Sequence, residues 1–271
     1  MLYQLDIYYK SLINNKYAYF IIRKSIQKLR FIYYFASFAF IKKKVLVEKN
    51  NTQYYLSNSF KSHLIGKFFK VKDPEIPEWI DSFEHNSKFL DVGANIGTIS
   101  LYAAKKGIET IAIEPNFINF SQLNENIVLN NLKNISTGLF FLEKNTKLST
   151  IKTELFTIGN STNYSFNNLT KNQKYVKNIL QAYALDKFCE EIDFWPNYIK
   201  CDTDGNELGV LKGCEKTLLH KNFKSLHIEF MDTVMFDNVL NYLNQINFRY
   251  KIASITATNP KSFNIIINKN I

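Results

Sequence analysis

The stretch Lys88-Phe89-Leu90-Asp91-Val92-Gly93-Ala94-Asn95-Ile96-Gly97-Thr98-Ile99-Ser100-Leu101 decides the fold. A short apolar run ends in an acid, a turn of small residues follows, and an apolar periodic segment begins at Thr98 and Ile99. That order reads as strand, tight turn, helix. A turn of this kind brings backbone N–H groups and a helix N-terminus up to a ligand.

Asp91-x-Gly93-x-Asn95-x-Gly97 departs from the dinucleotide pattern G-x-G-x-x-G, because the acid precedes the first glycine and the third glycine is absent. It also lacks the lysine with which a P-loop meets a phosphate. A ligand without a pyrophosphate fits better. S-adenosylmethionine is such a ligand: its methionine moiety can lie over the turn formed by Gly93, Ala94, Asn95 and Gly97, its ammonium seeks a carboxylate or carbonyl, and Asp91 is counted with the turn among the cofactor-binding residues. The segment Glu109–Pro115 reads as a second buried strand ending in an acid. Glu114 lies 23 residues after Asp91 and can accept both ribose hydroxyls, as an acid does for the ribose of NAD. A helix over Phe117–Asn130 follows, with Phe120, Leu123, Ile127 and Val128 at helical spacing. The apolar period switches twice from strand to helix, which predicts a parallel, right-handedly crossed sheet.

Working outward, Val45–Glu48 and Gln53–Leu56 predict a hairpin ahead of the main fold, and Pro74–Phe83 a helix leading into the opening strand. Downstream, Ile135–Leu142 reads as a third strand. Residues 143–178 are polar and weakly periodic, with a short β excursion at 151–158 and a loop at 159–168. Then come a short helix at Leu185–Glu191, a strand at Tyr198–Asp202, a helix at Asn206–Leu219, a strand at Lys224–Phe230 and a helix at Phe236–Ile246. Two strands, Arg249–Ser254 and Phe263–Asn268, close the chain. The fold class is therefore α/β, with a mostly parallel sheet over residues 45–271 and a basic, aromatic helical extension over residues 1–44.

Composition limits the function classes. The chain has 271 residues and a net charge of +10. That charge is not read as a nucleic-acid footprint, because Lys, Asn, Ile, Tyr and Phe are abundant together and all have AT-rich codons. Three cysteines without C-x-x-C spacing argue against a disulfide framework or zinc site and favour a reducing compartment, so a cytoplasmic location is expected. The four histidines form no metal-binding pair, and no metal is expected. The apolar run Phe31–Ile41 is too short to span a bilayer. Residues 1–44 therefore read as helices that pack on the domain or on a second copy, as an interfacial anchor at the inner face of the membrane ending in Lys42–Lys44, or as an unstructured arm.

A second set of acids stands where later strands give way to helices: Asp202-Thr203-Asp204-Gly205 and His227-Ile228-Glu229. Ligands of open α/β sheets bind outside the carboxyl ends of the strands, so Asp91, Glu114, Asp202 and Glu229 are expected to face one crevice. A hydroxyl that receives a methyl group must lose a proton. Asp202, Asp204 and Glu229 are the candidates to take it. Asp202-x-Asp204 also admits two metal readings: a divalent ion with a nucleotide-sugar in a glycosyltransferase, or Mg²⁺ beside a catechol-like substrate held by Asp202 with Glu229 or Asp232.

Three segments together resemble the FkbM-type family of S-adenosylmethionine-dependent methyltransferases: Phe89–Gly97; Ile113-Glu114-Pro115-Asn116 with Asn126 and Asn130-Asn131; and Tyr198–Gly213, followed in register with the family's I-K-I-D-V-E-G-x-E-x-x-V-L-K-G. Leu185-Asp186 resembles the leucine–aspartate segment that precedes this third motif. Cys201 and Thr203-Asp204 depart from the pattern but keep the order of strand then acid. The resemblance runs from about Val45 to about Glu229. It implies a class I methyltransferase fold, a seven-stranded sheet with an antiparallel edge hairpin, and methyl transfer usually to oxygen. Acceptors across the family include sugars, glycans and secondary metabolites, so a glycan or small-molecule hydroxyl is the expected substrate. A binding module that has lost turnover is the alternative.

Overall fold

The computed structural model describes residues 44–68, 75–153, 164–165, 176–257 and 262–270. The helical extension expected at residues 1–44 lies outside the described residues except for Lys44, as does most of the region 154–175. In chain order the first elements are β1 (Lys44–Lys49), β2 (Thr52–Ser57), α1 (Phe60–Phe68), α2 (Glu75–Asp81), β3 (Lys88–Val92), α3 (Thr98–Lys105), β4 (Glu109–Ile113) and α4 (Phe117–Leu129). Next come β5 (Ile135–Gly138), β6 (Phe141–Leu142), β7 (Lys147–Thr153), β8 (Tyr164–Ser165), β9 (Val176–Tyr183) and α5 (Leu185–Ile192). The last are β10 (Tyr198–Cys201), α6 (Glu207–Lys212), α7 (Glu215–Leu219), β11 (Ser225–Phe230), α8 (Thr233–Gln245), β12 (Tyr250–Ala257) and β13 (Phe263–Lys269).

Four of the five residues of β3 and all four of β10 are buried, as strands covered on both faces must be. The main sheet has seven strands in the order β12-β13-β11-β10-β3-β4-β5. Strands β11, β10, β3, β4 and β5 pair in parallel, and the β12–β13 hairpin adds an antiparallel edge. From β3 the chain builds outward to β4 and β5, then returns to place β10 on the other side of β3. The switch point therefore lies between β3 and β10, where both acid-bearing motifs end.

Alternation along the strands sorts the core into two layers. Leu90, Val92, Ile199, Cys201, Leu226, Ile228, Ile265 and Ile267 pack in one cluster with Leu211, Leu218 and Val239 from α6, α7 and α8. Phe89, Tyr198 and Ile266 join Trp79 and Ile80 of α2, Leu101 and Tyr102 of α3, and Val47, Tyr54 and Leu56 of the first hairpin. A fully buried Leu or Ile contributes roughly 1.5–3 kcal/mol, so these layers fix which face each strand residue presents.

The structure departs from the sequence reading in several places. The expected strand Ile135–Leu142 is two: β5 ends at Gly138, and β6 belongs to a separate four-stranded sheet, β6-β9-β7-β8. Within that sheet β9 is a full strand that periodicity did not reveal. The expected helix Asn206–Leu219 is two, α6 and α7, separated at Gly213, which lies against the Glu143 backbone: a Cβ there would stand 2.3 Å from the Glu143 carbonyl oxygen. Helix α8 begins at Thr233, because the Asp232 carboxylate accepts the Met235 N–H at 2.8 Å and caps it. Asp232 is thus a helix cap.

Candidate functional site

The glycine turn is built first from its own backbone. Gly93 and Asn95 adopt left-handed conformations (φ 78° and 53°). The N–H groups of Gly93 and Ala94 both donate to the Ile113 carbonyl at 3.0 Å, which locks the turn to the end of β4. These two donors are therefore used inside the protein. Gly93 is required by its neighbour: a Cβ there would lie 1.8 Å from the Asp202 carbonyl oxygen. Ala94 is buried against Ala112 and Leu123, and a Cβ on Gly97 (φ 88°) would meet Leu123 at 2.4 Å. Both shape the turn and its packing on α4. Asn95 closes the turn locally, its Oδ1 accepting the Ile96 N–H at 2.9 Å.

Asp91 is 1% exposed. Its Oδ2 accepts the Ser100 hydroxyl at 2.5 Å, and its Oδ1 lies 3.3 Å from the Lys200 ammonium. The carboxylate is thus buried at the end of β3, between α3 and β10. Glu114 occupies the other flank. One oxygen accepts the Asn95 N–H and the other the Asn116 N–H, each at 2.8 Å. The Asn119 side chain adds a further hydrogen bond to this carboxyl group. Burial pushes the Glu114 carboxyl up to about 7 against the pull of those two N–H groups, with Asp91 adding to the rise. Beside it lies a narrow recess walled by Ile113, Pro115, Phe141 and Leu142, with Gly93 and Asn206 at its rim.

Across the switch point, β10 places Lys200 in register with Asp91 on β3 and His227 on β11. Residues paired in this way share a face. The buried Lys200 ammonium lies 3.1 Å from Asp202 Oδ2 as well as 3.3 Å from Asp91 Oδ1, so it bridges the two motifs. Burial disfavours the ammonium, but the Asp202, Asp91 and Glu229 carboxylates outweigh burial and hold the amine above the ordinary lysine range. Asp202 shows the reverse balance. Burial raises it, while Lys200 and a hydrogen bond with Glu229 bring it below the ordinary aspartate range. Its side chain is 30% exposed. The buried His227 ring is pushed down to about 3 by burial and by Lys200, so it is neutral. Neither of its nitrogens has a hydrogen-bond partner among the described residues.

The turn after β10 is closed by Glu207. Its Oε1 accepts Thr203 N at 2.8 Å, Thr203 Oγ1 at 2.9 Å and Gly205 N at 3.3 Å. Asp204 sits in this turn at φ 53°. Burial, and then the charges of Asp202, Glu207 and Glu114, push it up to about 8. Asp202, Asp204 and Glu229 thus lie together at the carboxyl ends of β10 and β11, with Glu114 at the end of β4.

Sequence reasoning assigned no role to Lys200, Glu207 or the amides of α4. Asn126 donates to the Ile96 carbonyl at 2.8 Å and accepts the Ser57 N–H at 2.6 Å, so one side chain ties the glycine turn to β2. Asn130 exchanges two bonds with the Tyr55 backbone, at 2.8 and 2.6 Å, as a neighbouring strand would. Gln122 donates to Ser57 Oγ at 3.0 Å. Polar residues at 122, 126 and 130 form one stripe at a spacing of four, and that stripe was the available signal. For Lys200 the signal was a charge inside an otherwise apolar strand.

Comparison with known proteins places this geometry. No curated protein matches the chain. Among solved structures, the chain is similar to the methyltransferase FkbM of Methylobacillus flagellatus KT, at 18% identity over 78% of this chain and 56% of that one, with a TM-score of 0.47. It is similar to the precorrin-6y C5,15-methyltransferase of Geobacter metallireducens GS-15, at 9% identity over 73% and 87%, with a TM-score of 0.45. A third is the Pyrococcus abyssi tRNA (uracil-54, C5)-methyltransferase in complex with S-adenosyl-L-homocysteine, at 11% identity over 84% and 44%, with a TM-score of 0.46. Residues 91–250 match the family described as Methyltransferase FkbM domain. That span runs from the acid opening the glycine turn to the first residue of β12, and the chain belongs to the FkbM family of S-adenosylmethionine-dependent methyltransferases, with the class I fold.

Proposed function

We propose that the protein transfers a methyl group to a hydroxyl of a saccharide or small metabolite. The observation that carries this reading is the Asp202 carboxylate: partly exposed, kept ionised, paired with Glu229 and placed across the switch point from the glycine turn. Such a group can accept the proton that a hydroxyl gives up.

The residues present fit the family's cofactor. Glu114 stands at the end of β4, and with its carboxyl near 7 it can accept from one ribose hydroxyl and donate to the other. The ionised Asp202 suits a cation. When bound, S-adenosylmethionine supplies a methyl group on a sulfonium. The protein's own part is then to hold Asp202 at the crevice, with Glu229 hydrogen-bonded behind it, so that an acceptor hydroxyl loses its proton to an Asp202 oxygen.

Labelled-methyl transfer to fractionated cell extracts tests the reading. The expected product carries label in the saccharide or small-metabolite fraction, in a form that survives mild alkali, as an ether does and an ester does not. Label confined to alkali-labile esters, protein or nucleic acid overturns it. Binding of S-adenosylhomocysteine without any transfer supports the binding-module alternative.

A further inference from the structure

Three strand ends meet at the switch point, and one cation lies between their acids. Lys200 projects from the middle of β10, a buried strand, and is in register with Asp91 on one side and His227 on the other. Its Nζ reaches Asp91 Oδ1 at 3.3 Å and Asp202 Oδ2 at 3.1 Å. Asp91 in turn holds Ser100 of α3. We propose that Lys200 is a positioning residue that joins the cofactor turn to the acceptor edge and holds the Asp202 carboxylate, ionised and oriented, as the proton acceptor for the substrate hydroxyl. The proposal rests on the O-methyltransferase reading for the identity of that proton.

The surroundings give the ammonium this task. Asp202 meets His227 and Glu229 from β11 and Asp204 from its own turn, shares Lys200 with Asp91 of β3, and Glu207 of α6 acts on Asp204. His227 is neutral, so among these side chains Lys200 is the cation; Glu229 supports Asp202 through a hydrogen bond, and Asp204 is the competing acid. Without Lys200, Asp202 would be a partly buried acid among other acids, a setting that favours its protonated form. A protonated Asp202 cannot receive the hydroxyl proton. In the transfer step the acceptor oxygen bonds the methyl carbon, the C–S electron pair stays on sulfur, and the O–H proton passes to Asp202. Lys200 touches neither substrate nor cofactor in this scheme and acts through Asp202.

The test is a carboxyl-carbon NMR titration of the full chain labelled at aspartate, without cofactor or acceptor, with the Asp202 signal assigned by its loss in Asp202→Asn. In Lys200→Met the Asp202 midpoint should rise by at least about one pH unit, the effect expected for removing an opposite charge at this distance. In Lys200→Arg it should stay near the wild-type value. Where a methyl donor and acceptor pair is in hand, the acid limb of the rate profile should move by the same amount in Lys200→Met and be restored in Lys200→Arg. An Asp202 midpoint unmoved in folded Lys200→Met overturns the proposal, and so does equal loss of transfer in both variants with titration unchanged. If Lys200→Met does not fold, Lys200→Met combined with Asp91→Asn removes the orphaned partner, and the same rise or its absence decides. Because the titration needs no turnover, its failure is separate from failure of the wild-type protein to transfer methyl.

Discussion

Gly93→Ala is the sharpest perturbation of the turn, and its size can be worked from two glycines. Gly93 and Gly107 have similar backbones, with φ of 78° and 85°. A Cβ at Gly107 meets nothing within 4 Å, whereas one at Gly93 would stand 1.8 Å from the Asp202 carbonyl oxygen. The left-handed conformation alone costs an L-residue about 1–2 kcal/mol, and that is the whole effect expected for Gly107→Ala. At Gly93 the obstruction is backbone and cannot rotate away. Since C···O contacts close to about 3.3 Å, the two segments must part by about 1.5 Å. Overpacking of that kind adds roughly 1–3 kcal/mol. The adjacent bond from Asp202 N to Val92 O, 3.1 Å long, is strained or lost for about 1 kcal/mol more. The excess of Gly93→Ala over Gly107→Ala is therefore about 2–4 kcal/mol, a large share of the roughly 5–15 kcal/mol that holds a domain together. Urea or guanidinium unfolding of both variants measures it. Calorimetry with S-adenosylhomocysteine should show weakened binding for Gly93→Ala and wild-type binding for Gly107→Ala. Equal stability losses in the two variants would refute the reasoning, because Gly93 would then be needed for its backbone angle alone.

Three further outcomes are expected. Asn126→Ala leaves the buried Ser57 N–H and Ile96 carbonyl without their side-chain partner, a loss of about 2–4 kcal/mol by denaturation; hydrogen exchange should quicken in β2 and at residues 93–97 together. Glu114 has its folded pKa raised from 4.5 to about 7, so its contribution to stability is present below the unfolded value and is lost as pH rises through about 7. Relative to wild type, Glu114→Gln should therefore gain stability between pH 5 and pH 8, by about 3 kcal/mol at most, in unfolding curves taken at each pH. An interfacial anchor in residues 1–44 predicts that replacing Lys42 and Lys43 by glutamate in the full chain lowers co-sedimentation with anionic vesicles, with neutral vesicles as the control.

Much of the sheet was legible because its strands obey a simple rule. The segments ending at Asp91, Glu114, Asp202 and Glu229 are short apolar runs bounded by turn residues, and a strand buried on both faces has no other way to read. The separate sheet was not legible, for the opposite reason. In β9, Asn178, Leu180 and Ala182 lie on one face and Lys177, Ile179 and Gln181 on the other, with Ile179 left 72% exposed. Neither face is uniformly apolar, so no period-two signal survives. The contact that requires a glycine at 213 was equally invisible, since it is made with the distant Glu143 backbone.

The site divides along the same line. Residue types that bind ligands announced the crevice, but the division of labour among them depends on who lies beside whom across strands. Asp91 and Asp202 look alike in sequence, each an acid at a strand end. The structure separates them by two residues of register: Lys200 pairs directly with Asp91, which buries that carboxylate, while Asp202 lies one step beyond the last paired residue, Cys201, where the strand opens to the crevice. The same ammonium therefore meets a carboxylate with nowhere else to turn and another with solvent on one side. A buried ion pair is costly unless its geometry is complete. Here Ser100 completes one end and Glu229 the other. That arrangement explains why a lysine stands at the centre of a strand whose three other residues are Tyr198, Ile199 and Cys201: an apolar residue at position 200 would leave Asp91 buried without its cation, and a shorter cation would not reach both acids.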